Sequence, residues 1–152
     1  MKVLVISTSS AWAKYMDTED YIRDNIQVKE LMSRYSEEIL LIDSDLLDVM
    51  QEVRRRAGEL LHIACSHRTN KHNSELGSKD TSTHILGSAV DCHINSYTSF
   101  HLRQLFLKVA KELKPNRNCY AYQIGSFSIH FDFRHRVLSR DDINGTSLLI
   151  KD

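Results

Sequence analysis

Two segments of the chain alternate apolar and polar residues, and this pattern constrains the fold more than any other feature of the sequence. In residues 128–134, isoleucine and two phenylalanines alternate with polar residues that include His130 and Asp132. In residues 88–95, an apolar row alternates with a polar row that includes Asp91. Because successive side chains of a strand point to opposite faces, each segment predicts a strand with one buried face and one face of ligand-type residues.

These two strands predict a metal site if they pair in one sheet. Asp91 and His130 would then converge on one side of the sheet, and His84 lies shortly before the first strand. Gly87 gives the intervening chain the freedom to fold His84 back over the same face. Two imidazoles and one carboxylate suit zinc, and three protein ligands leave a fourth position open, as in catalytic zinc sites. Iron(II) in oxygenases uses the same ligand set, so the residue types alone leave the metal open.

The rest of the chain predicts an α+β fold. Helical spacing of apolar residues predicts helices over residues 27–35, 44–61 and 99–113. Further strands are predicted over residues 2–8, 61–66, 119–124 and 127–134, with a hairpin turn at residues 125–126, a polar loop over residues 67–81 and an edge strand at residues 148–150. The expected architecture is a small central antiparallel sheet with helices packed on one face, in a single domain over residues 1–152.

Composition excludes several classes of function. With 20 basic and 20 acidic residues the formal net charge is zero, so nothing steers the chain toward nucleic acid or an anionic membrane. The three cysteines have no C-x-x-C spacing, which argues against a thiolate zinc site, and we interpret all three as reduced, buried, small hydrophobic residues. No apolar stretch reaches membrane-spanning length and no signal peptide is evident, so we expect cytoplasmic synthesis without export by a leader.

Several short motifs form one composite pattern. They are S-H-R-T at residues 66–69, Asn73, S-T-H-I-L-G-S-A-V-D at residues 82–91 and I-H-F-D at residues 129–132. Together they resemble the zinc D-alanyl-D-alanine peptidases, which are peptidoglycan carboxypeptidases and endopeptidases that share their fold with lysostaphin-type enzymes and the hedgehog signalling domain. The resemblance covers about residues 28–137 and implies a fold of the hedgehog and DD-peptidase type.

The resemblance also implies roles for five residues. His84, Asp91 and His130 would hold one zinc ion. Arg68 would engage a carboxylate of the substrate, for which the planar guanidinium is suited because it forms two parallel hydrogen bonds. Ser82 would contact the substrate. The alternatives are a surface ion pair for Arg68 and turn chemistry for Ser82.

The general base is the point at which the chain departs from the family pattern. The related enzymes place an acid or a histidine a few residues before the last ligand, but residues 123–129 contain neither. Asp132 is the nearest acid, and it would either act as the base or orient a ligand imidazole, which is the role we favour. His67 and His93 are weaker candidates, and His67 stands where the family usually has tyrosine.

The implied activity is zinc-dependent hydrolysis of peptide bonds in peptidoglycan stem peptides or cross-links, of the carboxypeptidase or endopeptidase type. The expected partner is a peptidoglycan peptide, with neither nucleic acid nor a membrane. A cell-wall enzyme without a leader would be a bacteriophage lysin or virion protein, and a host enzyme with its leader removed is the other setting. Two alternatives are a zinc-binding module of the same fold without activity, and an α+β domain with structural histidines. The bond that is cut and the oligomeric state stay open.

Overall fold

The computed structural model describes residues 1–8, 12–32, 39–79 and 82–134. The strands are β1 (Lys2–Ser7), β2 (Ala13–Asp17), β3 (Tyr21–Arg23), β4 (Ile26–Gln27), β5 (Ile39–Ile42), β6 (His62–Cys65), β7 (Ala89–His93), β8 (Cys119–Ile124) and β9 (Ser128–Phe133). The helices are α1 (Val28–Leu31), α2 (Ser44–Ala57), α3 (Asn70–Glu75) and α4 (Ser99–Leu113). The mixture of helices with small sheets confirms the predicted α+β class.

A four-stranded antiparallel sheet in the order β6–β7–β9–β8 forms the centre of the fold. Its apolar face packs against helix α4, where the rings of Phe131 and Phe106 have centroids 5.1 Å apart. Both side chains are fully buried. The apolar side chains on one face of the sheet are buried under helix α4, which explains why the alternating segments fold as strands. The polar row lies on the opposite face.

A second sheet in the order β2–β1–β5 lies beside the first, with β1 and β5 parallel. Strands β3 and β4 form a separate two-stranded sheet. The sequence predicts β1, but no strand is predicted at β2 to β5. Strands β2 to β4 are short or largely exposed and carry no sustained alternation, and β5 is a run of only four apolar residues.

The predicted helices are present, with shifted boundaries. Helix α2 ends at Ala57 instead of residue 61, because Gly58 adopts a left-handed conformation with φ of 65° and its N–H donates to the Arg54 carbonyl. The predicted loop over residues 67–81 was wrong in part, since it contains α3. Thr69 caps that short polar helix by accepting a hydrogen bond from the His72 N–H.

Some predictions concern parts of the chain outside the described residues. These are the edge strand at residues 148–150 and the end of the helix predicted over residues 27–35. The single domain over residues 1–152 stays a prediction. Within the described residues, no helix has both the length and the apolar character needed to cross a membrane.

Gly87 joins the loop before β7 to the second sheet. Its φ is 66°, and a Cβ placed there would lie 1.9 Å from the carbonyl oxygen of Leu41. The Gly87 carbonyl accepts a hydrogen bond from the Asp43 N–H at 3.0 Å. The backbone of this loop therefore lies so close to β5 that only a glycine fits at residue 87. This contact holds the residues just before Gly87 in place.

We expect Gly87→Ala to destabilise the protein by about 3 kcal/mol, because it combines a left-handed φ with a backbone clash. Gly77→Ala is a matched control, since Gly77 has a φ of 68° but no atom lies within 4 Å of the added Cβ. The control should lose about 1–2 kcal/mol from the backbone conformation alone. Urea unfolding of the two variants measures the difference, and equal losses would contradict the close approach.

Candidate metal centre

One transverse row of the central sheet contains a residue from each of its four strands. Cys65 of β6 pairs with Asp91 of β7, Asp91 pairs with His130 of β9, and His130 pairs with Tyr122 of β8. Cross-strand partners point to the same face, so these four side chains lie side by side on the face opposite the apolar core. The strands that carry Asp91 and His130 therefore pair, which is the condition that the predicted metal site required.

The ring of His130 is held on both edges. Its Nδ1 lies 2.8 Å from Oδ1 of Asp91, and its Nε2 lies 2.6 Å from Oδ2 of Asp132. The ring of Tyr122 stacks on the imidazole, with centroids 4.6 Å apart and planes inclined by 13°. Because Asp132 is 1% exposed, its carboxylate is fixed and can orient the imidazole so that Nδ1 faces Asp91.

His84 reaches the same carboxylate from the loop before β7. Its Nδ1 lies 2.8 Å from the carbonyl oxygen of Ser66, which can only accept, so Nδ1 carries the hydrogen and donates it. Its Nε2 lies 3.3 Å from Oδ2 of Asp91. The Arg68 N–H donates to the His84 carbonyl at 2.9 Å, which fixes the backbone as well. One oxygen of Asp91 therefore faces each imidazole.

These contacts fit a divalent metal ion. Nitrogen and oxygen ligands about 2.0–2.1 Å from a tetrahedral zinc ion lie about 3.3 Å from each other. The contacts from Asp91 to His130 and to His84, at 2.8 and 3.3 Å, are close to that separation. Each imidazole points one ring nitrogen at the carboxylate of Asp91. Its other ring nitrogen makes a second hydrogen bond, as the imidazoles of metal-binding histidines usually do.

Cys65 lies next to this group, although the sequence predicted a buried, small hydrophobic residue at this position. Ligand atoms of Cys65, His84 and Asp91 all lie within 4.8 Å of one another, so these three residues could also hold an ion. The interpretation of Cys65 as a buried hydrophobic residue is therefore wrong, and Cys119 is half-buried too, whereas Cys92 is buried as predicted. All three are free thiols.

The position of the Cys65 thiol relative to His84 distinguishes the two ligand sets. Sγ lies 3.6 Å from Nδ1 of His84, the nitrogen that already donates to Ser66. Only Nε2 of His84 has a lone pair for a metal, and that nitrogen faces Asp91. The group whose ligand atoms all lie within 4.8 Å of one another does not include His130, so an ion shared by His84, Asp91 and His130 stays a prediction.

The charges of Asp91 and the two imidazoles shift the pKa values of one another. Burial by itself would lower the pKa of His84, but the carboxylate of Asp91 and the thiol of Cys65 raise it to about 10. Burial acts to raise the pKa of Asp91, but the imidazoles of His130 and His84 hold it well below its usual range. Protons and a metal ion therefore compete for the same imidazole nitrogens.

Arg68 and Ser82 lie around this group. Nη1 of Arg68 donates to Oδ1 of Asn73 at 3.2 Å and to Oγ of Ser78 at 3.3 Å, and Nη2 lies 3.4 Å from Sγ of Cys65. Among the described residues, none of these side-chain partners is a carboxylate, so the surface ion pair with an acidic residue that was considered for Arg68 is not formed there. Ser82 accepts a hydrogen bond from the Ile85 N–H with its carbonyl and one from the His84 N–H with Oγ, which is turn chemistry.

The candidates for a general base are constrained. Asp132 is buried and bonded to His130, and Arg134 lies 3.0 Å from its other oxygen. His67 is 6% exposed, and burial, followed by the charge of His84, lowers its pKa to about 4. His93 stacks on His62 in the neighbouring row, with centroids 4.7 Å apart. The geometry of Asp132 is that of a residue that orients an imidazole.

The sequence interpretation did not single out Cys65 or Tyr122. Period-two alternation in the predicted strand at residues 119–124 was the available signal for Tyr122, since it places that residue on one face with Tyr120 and Ile124. The pairing of Tyr122 with His130 follows from the register of β8 with β9, which one sequence does not reveal.

A comparison with protein-family models matches residues 14–131 to the family described as Peptidase M15. The chain belongs to the peptidase M15 family. This confirms the resemblance to the zinc D-alanyl-D-alanine peptidases, and the M15 match begins earlier than residue 28, so it includes strands β2 to β4. Neither the curated proteins nor the solved structures gave a match. Membership of M15 supports a peptidase, and M15 proteins are zinc-dependent, in agreement with a site whose residues can hold a metal ion.

We expect zinc to stabilise the protein more at higher pH. Because the folded-state pKa of His84 is about 10, its stabilising charge is fully present below the unfolded value of about 6.5 and is lost as pH rises toward 10. Zinc needs the neutral imidazole, so its affinity should rise about tenfold per pH unit for each proton displaced. The difference in Tm between zinc-loaded and chelated protein should therefore widen from pH 6 to pH 8.5.

The control is His101→Ala, which removes an exposed imidazole on α4 and should leave this dependence unchanged. A difference in Tm that stays constant over this pH range would show that zinc does not displace protons from the cluster.

Proposed function

We propose that this chain is a zinc peptidase that hydrolyses peptide bonds in peptidoglycan stem peptides or cross-links, of the D-alanyl-D-alanine carboxypeptidase or endopeptidase type. The observation that carries the proposal is the carboxylate of Asp91, which has the Nε2 of His84 at one oxygen and the Nδ1 of His130 at the other. Membership of the M15 family supports the same proposal.

His84, Asp91 and His130 would hold the zinc ion. The ion would supply Lewis acidity toward a peptide carbonyl and lower the pKa of a water molecule. The Ser66 carbonyl and the Asp132 carboxylate would keep the two imidazoles in the required orientation, because each accepts a hydrogen bond from the ring nitrogen that does not face Asp91. Each of these two residues acts through a ligand and is a positioning residue.

Arg68 supports a substrate that carries a carboxylate close to the scissile bond. Its guanidinium is held by the uncharged side chains of Asn73 and Ser78 and lies against Cys65, the neighbour of Asp91 in the sheet. The buried Nε of Arg68 has no hydrogen-bond partner. A charged guanidinium oriented by Asn73 and Ser78 is suited to bind the terminal carboxylate of a D-alanine residue. Ser82, at the start of the turn that carries His84, would contact the same substrate.

A zinc-binding module without hydrolytic activity is the second candidate. The observation in its favour is that Asp132 already bonds to His130 and lies beside Arg134, which leaves it badly placed to take a proton from water. In that case zinc would stabilise the fold by binding only the folded state.

The biological setting that we propose for a cell-wall substrate is a bacteriophage lysin or virion protein. Digestion of intact sacculi tests whether the protein acts on that substrate.

The test is digestion of purified peptidoglycan with zinc-loaded protein, with chelated protein and with chelated protein to which zinc is restored. We expect about one zinc ion per chain, muropeptide cleavage that depends on it, and a loss of about 10³-fold or more in His84→Ala. His101→Ala is the matched histidine control and should retain full activity. Mass spectrometry of the muropeptides identifies the bond.

Cleavage that continues at the wild-type rate in His84→Ala would contradict the enzyme proposal. Stoichiometric zinc together with unchanged peptidoglycan would favour the binding module.

A further inference from the structure

We propose that Tyr122 forms a subsite for the part of the substrate on the amino side of the scissile bond, and that this subsite favours peptides longer than a dipeptide. The proposal rests on the proposed function, because it assumes that Arg68 binds the substrate carboxylate. It assigns to the site a direction for the substrate and a length preference.

The row that contains the metal site has two different ends. At the β6 end, Cys65 lies against the guanidinium of Arg68, with 3.4 Å between Sγ and Nη2. At the β8 end lies Tyr122, with Asp91 and His130 between the two ends. Neighbouring strands are about 4.8 Å apart, so the backbones at the two ends of the row are separated by about 14 Å.

Tyr122 offers a carbon-rich surface beside the site. One face of its ring lies on the imidazole of His130, yet the residue is 44% exposed. Tyr120 and Ile124 alternate with it on β8, point to the same side of the sheet, and are 47% and 41% exposed. The rings of Tyr120 and Tyr122 have centroids 5.8 Å apart. Large exposed apolar side chains that continue a polar site are typical of surfaces that bind ligands.

The length of an extended peptide sets which substrates reach this surface. A residue spans about 3.3–3.6 Å, so a dipeptide covers about 7 Å. Anchored by its carboxylate at Arg68, a dipeptide extends past the Asp91 position but ends before the strand of His130, and so it does not reach Tyr122. One or two further residues on the amino side would lie over the Tyr122 ring, where their alkyl groups and peptide planes can pack.

The experiment measures binding by calorimetry to zinc-loaded protein, and its probes are analogues of D-Ala-D-Ala and of N-acylated L-Lys-D-Ala-D-Ala in which a phosphinate replaces the scissile amide, so that they are not hydrolysed. The variants are Tyr122→Ala and Tyr122→Phe, and Tyr15→Ala is the control because Tyr15 is an exposed tyrosine on β2, in the other sheet. Tyr122→Ala should weaken binding of the longer probe about fivefold to tenfold and leave the dipeptide within about twofold. Tyr122→Phe and Tyr15→Ala should match the wild type. Zinc affinity, measured by competition with a chelator, should be the same in all four proteins.

Two results would overturn the proposal. If Tyr122→Ala weakens both probes equally or lowers zinc affinity, Tyr122 acts only by holding His130. If the longer probe binds Tyr122→Ala as well as the wild type, no subsite exists at this position. A failure of the proposed function would give a different result. Wild-type protein would then leave peptidoglycan intact, even where Tyr122→Ala still weakens the longer probe and spares the dipeptide.

Discussion

The carboxylate of Asp91 is the group on which the rest of the site depends. Each of its oxygens faces a nitrogen of a different imidazole, at 2.8 Å for His130 and 3.3 Å for His84. The two histidines come from different parts of the chain, so the carboxylate can organise them only if the sheet and the preceding loop are both in place. Close like-charged imidazolium rings would repel each other, and the carboxylate between them offsets that repulsion until a metal ion takes the place of the protons.

The fold provides that placement through two independent constraints. Antiparallel register sets Asp91 opposite His130, and a slip of one residue would move every side chain of a strand to the other face. The close approach of Gly87 to Leu41 holds the loop that carries His84 against the second sheet. The second sheet therefore contributes to the site by holding this loop, and the family match includes two of its strands, β2 from residue 14 onward and β5.

Much of the site could be predicted because alternation with a period of two is a local signal. It identified the strands that carry Asp91, His130 and Asp132, whereas the pairing of these strands was only a condition of the predicted site and is known from the structure. Helix α3 was missed because its six residues are polar and offer no apolar stripe. The role of Cys65 was misjudged for a different reason, since a single cysteine in a strand looks the same whether its neighbour is a core residue or His84. Contacts of that kind depend on register and loop closure, which are properties of the folded chain.

Zinc K-edge X-ray absorption of the zinc-loaded protein distinguishes an ion bound by His84, Asp91 and His130 from an ion bound by Cys65. We expect a first shell of nitrogen and oxygen at about 2.0–2.1 Å, with the multiple-scattering pattern of two imidazoles and no sulfur. In His130→Ala the pattern should fall to one imidazole. A zinc–sulfur distance of about 2.3 Å in the wild type would mean that Cys65 is a ligand, and it would contradict the assignment of the ion to His84, Asp91 and His130.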